Sequence, residues 1–258
     1  MERVQFQQEQ MLAELKDLME KGFFSRAEAK LIMKRRREFE MALVRRVARK
    51  SDFLRYVAYE MDLERLRRKR AEKIKERSPQ SVSDYAIVKR VFQIFERAVR
   101  KFKGDVGLWM EYIRVAEKVG AKALVGKITA RAIQMHPTES WLYVMSANGE
   151  MKVGNMAGAR TMMERGIRMN PKDERLWMEW VKLEMGYAQQ LKDEGVQDSN
   201  EIVRGGIVEV IIENAIKEIG KDNHAFIKTV ADGISEYPQI DNEARGRLVE
   251  RVISIIQK

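Results

Sequence analysis

The chain contains no cysteine and only two histidines, His136 and His224, among its 258 residues. Without cysteine there is no disulfide framework, and the composition is compatible with a reducing intracellular compartment. A Cys/His zinc site and a Cys–His nucleophile are excluded as well, and a His-based triad has little to be built from. His136, which precedes Pro137, reads as a helix-boundary residue and His224 as a helix-start residue. No apolar run approaches the ~18 residues that a membrane span needs, and the first ten residues are too polar for a signal peptide, so no membrane contact is expected. The stretch Gly120 to Lys127 resembles a phosphate loop at a glance. It has five residues between its glycines instead of four, Ile128 where Ser or Thr should hold magnesium, and no strand before it. Gly120 is therefore read as a turn residue, and no cofactor, metal or catalytic residue is expected.

Negative charge is in short supply at one end. Residues 1–103 hold 28 Lys and Arg against 16 Asp and Glu, whereas the remaining 155 hold 21 against 23, so the whole net charge of +10 is owed to the first two-fifths. Such asymmetry suggests an acidic partner for that end, whether RNA, acidic protein or an anionic surface.

What the chain does have is a pattern written three times. Phe95-Glu96-Arg97-Ala98-Val99, Thr129-Ala130-Arg131-Ala132-Ile133 and Met163-Glu164-Arg165-Gly166-Ile167 place their arginines 34 residues apart, and an aromatic follows each arginine by twelve: Trp109, Tyr143 and Trp177. The same step leads from Met41 to Phe53 and from Asn214 to Phe226, and Val249-Glu250-Arg251-Val252-Ile253 repeats the first half once more. A period of 34 is that of a helix–turn–helix unit stacked into a solenoid. The return step from aromatic to next arginine position varies (44, 22, 22, 37 and 25 residues), so every length change falls on one side of the unit.

On the aromatic helix, positions zero, three and seven form one stripe at 3.6 residues per turn. It reads Phe53, Tyr56, Glu60; Trp109, Tyr112, Ala116; Tyr143, Ser146, Glu150; Trp177, Trp180, Glu184; and Phe226, Thr229, Gly233. The rings are expected to supply most of the inter-helix packing. On the partner helix a small column, Ala42, Ala98, Ala132, Gly166 and Ala215, lets backbones approach, and the aliphatic column Leu43, Val99, Ile133, Ile167, Ile216 and Ile253 is core. Glu60, Glu150 and Glu184 either pair with arginines of the partner helix or are simply solvated. Asn170-Pro171 before Asp173 and Glu174 reads as a cap with a proline in the first turn, and His136-Pro137 occupies the matching place one repeat earlier.

In chain order, Met1 to Glu20 forms an amphipathic helix with Val4, Met11, Leu15, Leu18 and Met19 on one face, ended by Gly22. Ser25 to Glu28 is a capping box opening a helix that carries Lys34-Arg35-Arg36-Arg37 before Phe39. Asp52 opens an aromatic helix that outlasts its repeat through Leu63, Leu66 and Ile74, with Arg65, Arg67, Arg68, Lys69, Arg70, Lys73 and Lys75 along it, and stops at the linker Ser78 to Ser81. Regular repeats span Asp84 to Glu184. A polar insertion runs from Gly186 to Glu201 with a turn at Gln197 to Asn200, and helices follow over Ile202 to Ile219, His224 to Ser235 and Asp241 to Gln257. Ile253, Ile255 and Ile256 leave that last end apolar, as if cut or covered by a partner. The basic residues Lys34, Arg35, Arg36, Arg37, Arg65, Arg67, Arg68, Lys69 and Arg70 are the candidate surface for RNA or an acidic partner, against the simpler reading of a solvated helix face and, for Arg65 to Lys75, that of a nuclear-import signal. The repeat register claims Phe53 and Tyr56 for core, which leaves little aromatic interleaving for base stacking.

From Phe39 onward the stripe of two aromatics and a Glu, followed by Glu-Arg-Ala-aliphatic, resembles the half-a-tetratricopeptide (HAT) repeat of RNA-processing scaffolds. Gly22-Phe23-Phe24-Ser25-Arg26-Ala27-Glu28, Lys34 to Glu40, Asp52 to Glu60 and Leu66-Arg67-Arg68-Lys69-Arg70 resemble the opening of the U3 small nucleolar RNA-associated protein six family. Gly205-Gly206-Ile207 with Glu213-Asn214-Ala215-Ile216 is similar to a later segment of it. Gly149, Ala116 and Gly233 depart from the pattern, so the central and last repeats are degenerate. The expected fold is all-α, a right-handed superhelical α-solenoid of HAT (TPR-like) repeats. Residues 1–83 would form a basic N-terminal region with the first hairpin, and residues 84–258 the repeat solenoid. The resemblance implies a non-enzymatic subunit of the UTP-B subcomplex of the small-subunit processome. Its implied partners are tryptophan-aspartate-repeat propeller subunits, its setting pre-ribosomal RNA and the U3 small nucleolar RNA, and its location the nucleolus. The alternatives are direct RNA binding through Lys34 to Lys75 and a scaffold of a splicing or 3′-end cleavage complex.

Overall fold

In the computed structural model, helices and short turns account for residues 2–73, 83–195, 202–220 and 223–235, the segments that the structure describes together with residues 246 and 250. The helices are α1 (Glu2–Glu20), α2 (Arg26–Val44), α3 (Lys50–Lys73), α4 (Ser83–Lys101), α5 (Val106–Val119), α6 (Lys122–Met135), α7 (Ser140–Met151), α8 (Met156–Met169), α9 (Glu174–Asp193), α10 (Gly206–Ile219) and α11 (His224–Ser235). No strand occurs among the described residues. The aromatic stripes fall on α3, α5, α7, α9 and α11 and the arginine-type positions on α2, α4, α6, α8 and α10, so the 34-residue rhythm is one helical hairpin per period and the fold is an all-α stack of helical repeats. The two long return steps are explained in part by long helices: α3 has 24 residues and α9 has 20, against 12 to 14 for the other aromatic helices.

Two compact units result, Met1–Val125 and Gly126–Lys258. In the first, α1 packs on α2 and α4, α2 on α3, α3 on α4 and α4 on α5; in the second, α7, α8 and α9 pack mutually and α9 also meets α10 and α11. The expected division after residue 83 falls between α3 and α4, two helices of the first unit that pack together. Met11, Leu15 and Leu18 of α1 are buried. The capping box at α2 is complete: the Ser25 hydroxyl accepts from the Glu28 N–H at 3.2 Å and the Ser25 N–H donates to the Glu28 carboxylate at 2.8 Å. Gly22 and Gly120 take the left-handed conformation that ends α1 and α5, with φ of 74° and 82°, which a side chain would oppose.

The aromatic column owes its chemistry to a hydrogen bond as well as to area. Trp109 donates from its indole nitrogen to the Lys103 carbonyl at 3.2 Å, the Tyr143 hydroxyl to that of Pro137 at 3.0 Å and Trp177 to that of Pro171 at 2.9 Å, each six residues upstream. A buried ring with a polar handle thus pins the turn that enters its own helix. Phe53 and Phe226, which lack a handle, are buried too. The small column works as expected at Gly166, where a Cβ would lie 2.9 Å from the Cβ and 3.0 Å from the Cγ of Tyr143. Those atoms sit next to the backbone and cannot swing away. Gly166→Val is expected to destabilise the second unit by about 1–3 kcal/mol, read as a lowered urea midpoint, whereas the same change at Gly126, with open space around it, should cost less.

Two expectations need correction. The residue capping α9 is Asp173, whose carboxylate accepts from the N–H groups of Arg175 and Leu176, while Asn170 is the C-cap of α8 and Pro171 lies in the turn between. The chain requires three residues to reverse direction there, which displaces the cap past the proline. Gly186 is also interior to α9 rather than the start of a loop, since Met185 and Ala188 are buried around it. The side chain of Val4, Ile74 and Lys75, the Ser78 to Ser81 linker, the Gln197 to Asn200 turn, and the final helix with its apolar end at Ile253, Ile255 and Ile256 lie outside the described residues.

Candidate partner surface

Two of the three stripe glutamates, Glu60 and Glu184, pair with arginines of the partner helix, though not with those of the repeated motif. Arg36 on α2 donates from Nε and Nη2 to the two oxygens of Glu60 on α3, both at 2.7 Å. Arg160 on α8 donates from Nε and Nη2 to the two oxygens of Glu184 on α9, again at 2.7 Å. Each arginine stands 24 residues before its glutamate and five before its repeat position, Met41 or Arg165. The same pair of places holds Phe92 and Ala116 in the second hairpin, where Phe92 lies 6.2 Å from the Tyr112 ring. In the third they hold Gly126 and Glu150, and Glu150 instead accepts from the Asn155 amide at 2.7 Å. The fifth has Glu209 and Gly233.

The first pair is enclosed. Arg36 and Glu60 are both fully buried, and Arg36 also reaches Glu14 at 3.1 Å, which Arg90 binds from the other side. Burial alone would favour loss of the Arg36 proton, but the carboxylates of Glu60 and Glu14 outweigh it and hold the pKa above its ordinary value. Burial, with Glu60 and Glu40 close by, pushes the Tyr56 phenol above its usual range. Arg97 spends its charge on Glu40, with both oxygens at 3.0 Å, and the hydroxyl of Tyr112 donates to Glu96 at 3.1 Å. Arg131 and Arg165 are exposed. Trp180 stacks on Trp177 at 6.1 Å and donates to Glu184 at 3.4 Å.

These pairings redraw the candidate basic surface. Arg36 is not part of any surface, because the core takes its charge. Arg67 is buried too, donating to Glu64 at 2.8 and 2.9 Å. Arg68 joins the same carboxylate at 2.7 Å. Arg70 bridges Glu28 and the Phe23 carbonyl while lying over the Phe24 ring, and its hydrogen bond holds the Glu28 carboxyl down at about 2. The stability this pair adds is therefore complete above the ordinary carboxylate range and is lost as pH falls towards about 2. Arg35 is matched by Glu38 and Arg65 by Asp62, each at 2.8 Å. Of the nine, Lys34, Arg37 and Lys69 remain exposed without an ion pair among the described residues. The basic run read as one surface is thus mostly neutralised within the chain: Arg36 and Arg70 join α2 to α3, Arg67 also reaches Asp84 of α4, and Arg35, Arg65 and Arg68 pair along their own helices. Alternation of charge along α3 carried that signal: Asp62 and Glu64 stand three to four residues before Arg65, Arg67 and Arg68, the spacing of helix-face pairs.

Between α2 and α3 lies an open groove of about 600 Å³. Phe24, Leu31, Ile32, Tyr59, Leu63 and Leu66 make its apolar floor and walls, with Glu28, Lys34, Arg35, Glu38 and Asp62 along its edges. Leu31 is 66% exposed and Leu66 40%, unusual for leucines facing one another across a helix pair. Sequence reading missed this site because it assigned Leu63 and Leu66 to a helix extension without asking what covered them. Among the described residues no helix is long and apolar enough to cross a membrane.

The model of the family described as U3 small nucleolar RNA-associated protein 6 matches residues 8–90. U3 small nucleolar RNA-associated protein 6 of Schizosaccharomyces pombe is 41% identical over 191 residues, covering 74% of this chain and 39% of the relative. The homologs of Mus musculus and Homo sapiens are 31% and 30% identical over 244 residues, covering 89% of this chain and 41% of theirs. The chain thus spans about two-fifths of the length of these relatives. Among solved structures, the C-terminal part of a TPR repeat-containing protein from Cytophaga hutchinsonii aligns over 93% of each chain at 12% identity and a TM-score of 0.40, and MamA at 8% and 0.35. Likenesses that distant add nothing to a fold already given by its own helices. The family match begins on α1 and includes the capping box and the buried Arg36–Glu60 pair, and by it together with relatives that align over 74–89% of its length the chain belongs to the U3 small nucleolar RNA-associated protein 6 family.

Proposed function

We propose that this chain is a non-enzymatic scaffold in the processing of pre-ribosomal RNA and the assembly of the small ribosomal subunit, acting in the nucleolus within the UTP-B subcomplex of the small-subunit processome. Its role is to hold other proteins of that assembly, tryptophan-aspartate-repeat propeller subunits among them, against faces of its helical hairpins. One observation carries the reading: relatives named for association with the U3 small nucleolar RNA match most of the chain. The architecture supports it, because stacked hairpins present extended helix faces rather than a preorganised pocket, and the charge cluster of Arg36, Glu60 and Glu14 is sealed in the core where no substrate reaches it. Affinity capture of the tagged chain from nuclear extract, after nuclease treatment, should recover small-subunit assembly proteins in fixed proportion. Recovery of splicing or 3′-end cleavage proteins in their place would move the scaffold to another particle, and recovery of neither would overturn the reading.

A further inference from the structure

The α2–α3 groove has the dimensions and the charge of a peptide site. Along α2 its edge runs from Glu28 through Leu31 and Lys34 to Glu38, eleven residues spanning about 15 Å, which matches roughly three turns of a docked helix. All three edge acids are already neutralised from within the chain: Glu28 by Arg70, Glu38 by Arg35 and Asp62 by Arg65. What is left over is positive. Lys34 on the edge, Lys30 and Arg37 one turn to either side of it, and Lys69 one turn beyond Leu66 are exposed and form no ion pair among the described residues. An apolar trough bordered by uncompensated cations calls for an occupant with an apolar stripe and carboxylates beside it. Nucleic acid fits less well: the leucines offer a phosphate nothing, and both rings of the groove already have a partner with which a base would compete, Tyr59 tilted against Phe39 at 5.4 Å and Phe24 under Arg70.

We propose that this groove is the docking site for an acidic amphipathic helix of a partner protein, whose apolar residues at i, i+3 or i+4, and i+7 seat against Leu31 and Leu66 while its carboxylates meet Lys34, Arg37 and Lys69. The assignment rests on the scaffold reading above and names one of the surfaces that reading requires.

The test uses the full chain and a fluorescent peptide of about 18 residues, with leucines at helical spacing and glutamates beside them. A scrambled peptide of equal composition and an oligouridylate serve as the other probes. Anisotropy should show the patterned peptide binding, the scrambled one not, and a loss of about tenfold or more for Leu31→Glu with Leu66→Glu and for Lys34→Glu with Arg37→Glu. Thermal unfolding should be unchanged in these variants, since the side chains are exposed. Equal binding of the two peptides, affinities in the variants within about twofold of the parent, or substitutions that release the oligouridylate and not the peptide would each overturn the groove. Affinity capture with the unsubstituted chain separates the two ideas: a failed peptide titration beside a successful capture removes the groove alone.

Discussion

Glu60→Ala is expected to destabilise the first unit by about 3–5 kcal/mol, a large part of the ~5–15 kcal/mol that holds a typical domain together. The substitution removes both carboxylate oxygens from a guanidinium that is 0% exposed and whose Nη1 already has no hydrogen-bond partner among the described residues. Arg36 cannot shed its proton to escape, and reaching water would mean opening the contact between α2 and α3. Glu14 stays within 3.1 Å, which limits the loss without cancelling it, because Arg90 also draws on that carboxylate. The equivalent change Glu184→Ala should cost less, since Arg160 is 29% exposed and can be hydrated. Urea titrations of the two variants read the difference directly.

Trp177→Ala is the second large effect, at about 3–5 kcal/mol. Its ring is 3% exposed and packs on Trp180, within the core of the second unit that includes Leu176, Val181 and Ile212. Alanine leaves a cavity between helices that cannot collapse, because Gly166 already brings α8 against α7 and α9 at contact distance. Trp177→Phe isolates the handle from the volume. It keeps much of the packing but loses the bond to the Pro171 carbonyl, and it should cost on the order of 1 kcal/mol for that bond, plus the smaller ring. The matched test at Tyr143, Tyr143→Phe, removes only a hydroxyl and gives the hydrogen-bond contribution alone.

The repeat was legible because its two columns obey simple geometry. A ring every 34 residues and a small residue eleven before it are both demanded by helix-on-helix packing, and Trp109, Tyr143 and Trp177 stand at equivalent places in the structure. The glutamate stripe was visible as well. Its partner was not, for a physical reason: the pairing runs across two helices at a separation of 24, and the conspicuous arginines of the motif, Arg97, Arg131 and Arg165, lie on a different face. The constant offset from Arg36 to Glu60 and from Arg160 to Glu184 was the available signal. The basic surface was overread for a related reason. Composition counts charges, but whether a charge is offered to a partner depends on the acid within reach of it, and at Arg67, Arg68 and Arg70 a carboxylate already is. The groove was hidden because exposure of Leu31 and Leu66 depends on how α2 and α3 diverge, which no local pattern records.

At one inter-helix position the first and fourth hairpins place a bidentate arginine–glutamate pair where the second places Phe92 and Ala116. A double-mutant cycle at Arg36 and Glu60 measures whether the two fillings are interchangeable, with unfolding free energies for Arg36→Phe, Glu60→Ala and both together. The account predicts that the double variant is more stable than either single one, because no charge is then stranded and the site takes the form the second hairpin already has. A double variant as destabilised as the sum of the two single changes would contradict it.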